Sequence, residues 1–144
     1  MTNRDFVEYI RRHKYAVQAS MSSSGGPQAA VVGIVVNHDL ELFFDTHEDT
    51  RKVHNLRSHP RIAFVIGWEE ETVQYEGVAD EPEGDDLMRF KRIYFERFPD
   101  GREREAWPGI VYIRVRPTWI RYSDFRGAEA RIVELGADAL DRVG

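Results

Sequence analysis

The chain has 144 residues, a formal net charge of −5 and no cysteine. Its length fits one domain over residues 1–144, and a hydrophobic share of 42% is enough for a packed core. The acidic balance argues against a nucleic-acid partner, which requires clustered basic charge. The lack of cysteine excludes a disulfide scaffold, a thiolate nucleophile and an iron–sulfur cluster.

No segment has the apolar length of a signal peptide or a membrane span. Residues 1–14 carry a charge every few positions, and the longest apolar stretch, residues 29–36, is interrupted by a glycine. A stretch this short cannot cross a bilayer as a helix. We therefore expect a soluble, cytoplasmic protein without a membrane partner.

The first quarter of the chain predicts a short helix followed by two strands. Thr2 or Asn3 can cap the helix, whose apolar residues recur at helical spacing. A strand is predicted over residues 15–21, and serine, glycine and proline then predict a turn over 22–27. Residues 28–36 are rich in valine and isoleucine, which predicts a strand buried on both faces.

The middle of the chain alternates between strands and helices without the regularity of a parallel sheet. A strand over residues 40–45 precedes a helix over 48–58, which a proline ends. Strands over 61–68 and 72–79 follow. A third helix, also amphipathic, is then predicted over residues 87–98.

The last part of the chain predicts strands over residues 109–115 and 118–122, and residues 130–135 form one more candidate strand before a short helical turn. About six or seven short strands, mostly linked as hairpins, favour a small antiparallel barrel over a Rossmann sheet. The predicted fold is therefore mainly β: a small antiparallel barrel with a few short helices.

The most informative window is the junction between the third strand and the second helix. The strand ends in Asp45 and Thr46, and the helix opens near Thr50, Arg51 and Lys52. Free N–H groups at a helix start, a hydroxyl and two adjacent cations are suited to binding a phosphate group. Arginine can hold two phosphate oxygens in its planar fork, whereas lysine adds a compact charge.

This window has two other interpretations, an ordinary capped helix, which stays open, and a metal site, which we do not expect. The same residues also fit an ordinary helix that Asp49 caps and that carries two solvated cations. His47, His54 and His59 lie nearby, but a spacing of five between the last two does not align them on one helix face. We expect structural roles for them and no metal site.

The order of these segments resembles the pyridoxamine 5′-phosphate oxidase-related family, the FMN-binding split barrels. Members of this family carry an aromatic-rich strand, a loop, a Ser-Arg-Lys helix start, an Asn-Pro pair and an apolar strand. The similar positions here are residues 43–46, 50–52, 59–60 and 61–66, with further similarity at 27–33, 72–79 and 115–122.

The resemblance implies a six-stranded antiparallel split barrel that forms a homodimer, with FMN in a cleft between the subunits. Arg51 and Lys52 would bind the FMN phosphate, and Thr46 or Thr50 would supply a hydroxyl. Asp45 belongs to the same loop but replaces an aromatic or small residue of the family, which places a carboxylate beside the phosphate unless it turns away.

The resemblance also implies which residues lie along the flavin ring. Gln28 and Ala29 would lie against the isoalloxazine through their backbone N–H groups. Gln74 would contribute an amide from the partner strand, or else be an outward side chain of a half-exposed strand. Trp107 would pack in the core or at the dimer interface, or else cover the ring from the partner subunit.

The function implied is that of an FMN-dependent oxidoreductase acting on an unidentified small molecule, because the flavin carries the chemistry. The alternatives are a reductase that uses a deazaflavin, a non-enzymatic flavin- or haem-binding stress protein, and a barrel without a cofactor. No catalytic acid or base can be named. Residues 123–130 lack the tryptophan- and arginine-bearing pattern with which pyridoxamine phosphate oxidases bind the substrate phosphate.

Overall fold

A computed structural model describes residues 1–140 of the chain and shows a curled antiparallel sheet flanked by short helices. The helices are α1 (Asn3–Arg11), α2 (Arg51–Ser58), α3 (Gly84–Arg97), α4 (Gly101–Arg104) and α5 (Ala137–Leu140). The strands are β1 (Tyr15–Met21), β2 (Pro27–Gly33), β3 (Val35–Val36), β4 (Leu42–His47), β5 (Arg61–Trp68), β6 (Glu71–Asp80), β7 (Ile110–Asp124) and β8 (Arg131–Leu135).

The strands run in the order β2-β1-β5-β6-β7-β4-β3, and β8 pairs with β7. Only Ile34 separates β2 from β3, yet β2 pairs with β1 at one end of this order and β3 pairs with β4 at the other. The segment from β2 to β3 therefore closes the sheet on itself. Counted as one strand, it gives a ring of six, which confirms the predicted barrel; β8 is an addition to it.

The interior of the barrel is filled by aromatic and branched side chains. Phe44, Ile66 and Val115 are fully buried, and the ring of Phe43 stacks on Phe90 of α3 with centroids 5.0 Å apart. Burial of such side chains is the main source of stability in a domain of this size. Helix α3 thus covers the outside of β4, next to the loop that was predicted to bind phosphate.

Several element boundaries differ from the prediction for identifiable reasons. Helix α2 begins at Arg51, three residues later than predicted, because residues 48–50 form a turn that the Thr50 N-cap ends. The two strands predicted around Pro117 form the single strand β7, which bulges where Trp119 pairs with Glu76 and Pro117 with Gly77. A bulge accommodates a proline, since it removes the need for a ladder N–H.

The strand predicted over residues 28–36 is not buried on both faces. Most of β2 is exposed, including Ala29 and Ala30, and the Val31 side chain is 63% exposed. The composition was typical of a central strand, but no element within residues 1–140 covers the outer face of β2. The burial prediction was wrong, and an apolar surface is left open there.

The helical turn predicted after the last strand is present as α5, and the remainder of that tail lies outside the described residues. No helix within residues 1–140 has the length and apolar character needed to span a membrane.

Candidate functional site

A cavity of about 360 Å³ opens between β1, β2 and the start of α2. Five of the nine residues predicted to bind the cofactor line it, and four further residues complete its wall. The predicted residues are Gln28, Ala29, Thr50, Arg51 and Lys52, and the others are Gln18, Ser20, Ala30 and Asp49. The helix start that was expected to bind phosphate therefore faces the strand that was expected to line the flavin.

The basic end of the cavity is built by the first turn of α2 and the end of β4. Lys52 Nζ donates to Thr46 Oγ1 at 3.2 Å, and the hydroxyls of Thr46 and Thr50 are 3.5 Å apart. The Thr50 hydroxyl donates to the carbonyl of His47 at 2.8 Å, so it does not cap α2. The N–H groups of the first helical turn consequently lack a side-chain acceptor, which favours binding of an anion.

The two cations at this end lack carboxylate partners. Within residues 1–140, neither Arg51 nor Lys52 makes a salt bridge. Burial lowers the pKa of Lys52, because the ammonium loses hydration without gaining a counter-charge. The Asp49 carboxylate lies 3.6 Å from His47 Nδ1 and is largely exposed. An anion bound here would supply the missing charge.

The inner wall of the cavity is polar although it is buried. Asn55 Nδ2, one helical turn after Arg51, donates to Ser20 Oγ at 3.0 Å and to Gln28 Oε1 at 2.9 Å. These bonds tie α2 to β1 and β2 and fix the side chain of Gln28. Gln18, on the same face of β1 as Ser20, is 2% exposed, and its Oε1 has no hydrogen-bond partner.

The prediction missed Gln18, Ser20 and Asn55. A signal for the first two was present, because strand alternation places Gln18 and Ser20 on the same side as buried Ala16. Polar residues at inward positions of a strand indicate a functional site when the core offers them no partner. The role of Asn55 had no local signal, since its partners are on other elements.

Asp45, predicted within the phosphate loop, turns away from the cavity. Its carboxylate accepts from Tyr94 Oη at 2.8 Å and from Arg104 Nε at 2.9 Å, both on the outer side of β4. Burial, reinforced by this carboxylate, raises the pKa of Tyr94 well above its ordinary value. Successive strand residues face opposite sides, so Asp45 lies behind Thr46 and does not compete with an anion.

The other two predicted residues lie outside the cavity of this chain. Gln74 is exposed on β6, in register with Val65 of β5, and its amide faces outward with that valine. The Trp107 side chain is 57% exposed in the segment before β7. His47 Nε2 lies 3.0 Å from the carbonyl oxygen of Pro108 and so links this segment to the phosphate loop. Contact of either residue with a cofactor stays a prediction.

These features define an antiparallel split barrel, and the start of α2 at its opening has the charge and the free N–H groups suited to an anion. The family model described as pyridoxamine 5′-phosphate oxidase matches residues 3–124. The chain belongs to this family, as its sequence predicted.

Comparison with individual proteins gives similarities of sequence and of fold. A protein of Haloferax volcanii named desampylase is 31% identical over 104 residues, which cover 69% of this chain and 70% of that protein. The name describes that protein's activity.

Among solved structures, a haem-binding protein from Mycobacterium smegmatis superposes with a TM-score of 0.83 at 17% identity, covering 99% of this chain and 61% of that chain. This chain therefore spans less than two thirds of that protein. A pyridoxamine 5′-phosphate oxidase-related, FMN-binding protein from Nostoc punctiforme has a TM-score of 0.67 at 13% identity, covering 92% and 89%. Both show the fold.

Proposed function

We propose that the cavity binds FMN and that the protein is an FMN-dependent oxidoreductase acting on a small molecule. The observation that carries the proposal is a pair of cations, Arg51 and Lys52, at the uncapped start of α2, which have no carboxylate partner in the described part of the chain. Phosphate groups bind at helix starts because N–H groups and the helix dipole converge there. The FMN-binding relative from Nostoc punctiforme supports the same cofactor.

Different residues of the cavity bind different parts of the cofactor. Arg51 and Lys52 bind the phosphate, and Thr46 orients the Lys52 ammonium through the 3.2 Å contact. Gln28, held by Asn55, and the exposed backbone of Ala29 line the route from the phosphate end toward the outer face of the sheet. The flavin supplies electron transfer, and the chain positions it and sets its electrostatic surroundings.

The proposal includes a homodimer, since β2, which lines the cavity, has an outer face that no element within residues 1–140 covers. Val31, Val65 and Val78 are 63%, 38% and 42% exposed on β2, β5 and β6. Exposed valines on the outward face of three strands are more typical of a protein–protein interface than of a surface that stays in water. A second copy on this face would cover it and would bring Gln74 of one subunit toward the cofactor of the other.

Haem binding is a second candidate, favoured by the similarity to the Mycobacterium smegmatis protein. A deazaflavin is a third, because a related cofactor with a phosphate-bearing chain would use the same cations. The basic end of the cavity comprises Arg51 and Lys52, which fits one phosphate group better than a longer acidic tail.

The absorption spectrum of the protein purified from cells, with mass analysis of the ligand released on denaturation, tests these candidates. The twin bands of an oxidised flavin and the mass of FMN are the expected result. A single band at shorter wavelength with a deazaflavin mass, or an intense haem band, would replace FMN by that cofactor. A protein that stays colourless when incubated with each cofactor would contradict the proposal. Bleaching of the flavin by a reductant and its rapid reoxidation would distinguish an enzyme from a carrier.

A further inference from the structure

The least explained polar group in the barrel is the side-chain amide of Gln18. Its Oε1 is one of two buried side-chain oxygen or nitrogen atoms without a hydrogen-bond partner among the described residues; the other is the Tyr112 hydroxyl. An unpaired polar atom in a protein interior costs free energy, so it persists where another role keeps it. Unlike Tyr112, Gln18 is almost fully buried and lines the cavity beside Arg51 and Lys52.

Gln18 does not serve the hydrogen-bond network that holds the cavity wall. That network runs from Asn55 to Ser20 and to Gln28, and both amide hydrogens of Asn55 are used in it. Leucine would fill a similar volume on β1 without burying a polar atom. The amide therefore destabilises the ligand-free protein and requires a compensating contact elsewhere.

We infer that Gln18 is a ligand-binding residue whose amide oxygen accepts a hydrogen bond from a hydroxyl or N–H group of the cofactor. The inference rests on the proposed FMN site. A phosphate monoester near neutral pH offers mainly acceptor oxygens, which match the cations and not a carbonyl oxygen. The partner of Gln18 then belongs to the part of the cofactor without phosphate, which in FMN carries several hydroxyl groups and a ring N–H.

Two contacts of different kinds follow from this assignment. Arg51 and Lys52 select the phosphate by charge, whereas Gln18 selects a hydroxylated or N–H-bearing body by hydrogen bonding. Riboflavin, which has the same body without the phosphate, separates the two contacts. Loss of the Gln18 amide should weaken the binding of FMN and of riboflavin by the same factor, whereas loss of Arg51 should weaken the binding of FMN alone.

The test compares Gln18→Leu with the wild type by two measurements, flavin affinity from fluorescence titration and the Tm of the ligand-free protein. We expect the variant to bind FMN and riboflavin each about tenfold more weakly, the usual effect of removing one hydrogen bond to a buried group. We also expect an equal or higher Tm, because the buried unpaired oxygen is gone. A merely structural role of Gln18 would lower Tm and leave affinity unchanged.

Tyr112→Phe is the matched control, since it removes the other unpaired buried oxygen at a position outside the cavity. It should leave both flavin affinities unchanged. Gln18→Met, which also lacks the amide, replaces Gln18→Leu if the latter does not fold.

The outcomes separate the inference from the proposed function. If wild type and both Gln18 variants bind FMN equally well, the inference is overturned and the FMN site stands. If wild type binds neither flavin, the proposed function fails and the inference fails with it. If the Gln18 variants lost affinity for FMN but not for riboflavin, the inference would also be overturned, because Gln18 would then contact the phosphate.

Discussion

The two faces of β4 carry neighbouring residues with opposite electrostatic surroundings. On the outer face, Asp45 accepts from Tyr94 and Arg104, and the Arg104 guanidinium also reaches Asp100. On the inner face, Thr46 contacts the ammonium of Lys52, which has no carboxylate partner within residues 1–140. Both faces contain partly buried cations, but only the cations of the outer face are neutralised by the chain itself.

Because of this difference, we expect the outer face to contribute mainly to stability and the inner face mainly to binding. A cation with a carboxylate partner holds elements together, and here Arg104 fastens α4 to β4. A cation that is desolvated without a partner weakens the fold slightly and attracts an anion from solution. The outer face therefore stabilises the loop, and the inner face is the proposed binding surface. Four experiments test this division.

The largest expected effect is on the inner face. Replacing Arg51 and Lys52 together by alanine should weaken FMN binding by about 100-fold or more, because each charged hydrogen bond contributes roughly 1.5–3 kcal/mol. The free energy of unfolding should change by less than about 0.5 kcal/mol, since neither side chain has an ion pair to lose. Fluorescence titration and denaturant unfolding measure the two quantities.

Arg57→Ala is the control for this pair. Arg57 is on the same helix and pairs with Glu81, away from the cavity. Its loss should leave FMN affinity unchanged. Equal weakening by Arg57→Ala would show that net charge, and not the helix start, attracts the cofactor.

The next effect is on the outer face. Arg104→Ala should lower the free energy of unfolding by about 2 kcal/mol, because it leaves the Asp45 carboxylate, only 9% exposed, without its cation. FMN affinity should fall much less than in the inner-face variant. Adding Asp45→Asn should recover part of the stability by removing the unpaired charge. A double variant that is as unstable as the two single losses summed would show that the pair is not coupled.

A smaller, mixed effect is expected at Asn55, which joins the wall of the cavity to α2. Asn55→Ala removes the bonds to Ser20 and Gln28 and should cost about 1 kcal/mol of stability. FMN affinity should also fall severalfold, because Gln28 is no longer held in place. His54→Ala, at the exposed neighbouring position, should change neither quantity. Unchanged affinity in Asn55→Ala would mean that Gln28 does not contact the cofactor.

The smallest expected effects are changes with pH, which should appear in FMN affinity for the inner face and in stability for the outer face. The lowered pKa of Lys52 means that its charge is lost below the usual range for lysine, so FMN affinity should decline first as pH rises. In Lys52→Arg the charge persists, and affinity should hold to higher pH.

Stability should also decrease, but at a higher pH than FMN affinity does, because of Tyr94 on the outer face. The pKa of Tyr94 is raised above its ordinary value of about 10, so its contribution is full below pH 10. Above pH 10 the unfolded chain ionises this tyrosine first, and stability falls as pH rises further. Tm measured against pH should therefore decline less steeply in Tyr94→Phe. A Tm that falls before FMN affinity does would contradict this order.

Much of the fold was accessible from local patterns. Apolar alternation located β5 and β6 within a residue or two, and the capping box of Thr2 and Asp5 opens α1 where the sequence predicted a cap. The helix start at Arg51 and Lys52 was equally local, since a hydroxyl followed by two cations is a short-range signal. That part of the cavity could be predicted for this reason.

Three features of the site depended on contacts between distant segments. The orientation of Asp45 follows from Tyr94 and Arg104, which reach β4 only because α3 and α4 pack on it. The exposure of β2 follows from its place in the closed ring, where no other element of the described part of the chain covers its outer face. A sequence that reads as a buried strand cannot reveal such an open face.

Side-chain periodicity and residues a few positions apart were enough to predict most elements, the barrel class and a helix start suited to an anion. Which polar groups lack partners within residues 1–140 could be found only from the folded chain. Gln18, Asn55 and Lys52 come from three elements, and hydrogen-bond satisfaction is a property of all the neighbours of an atom at once.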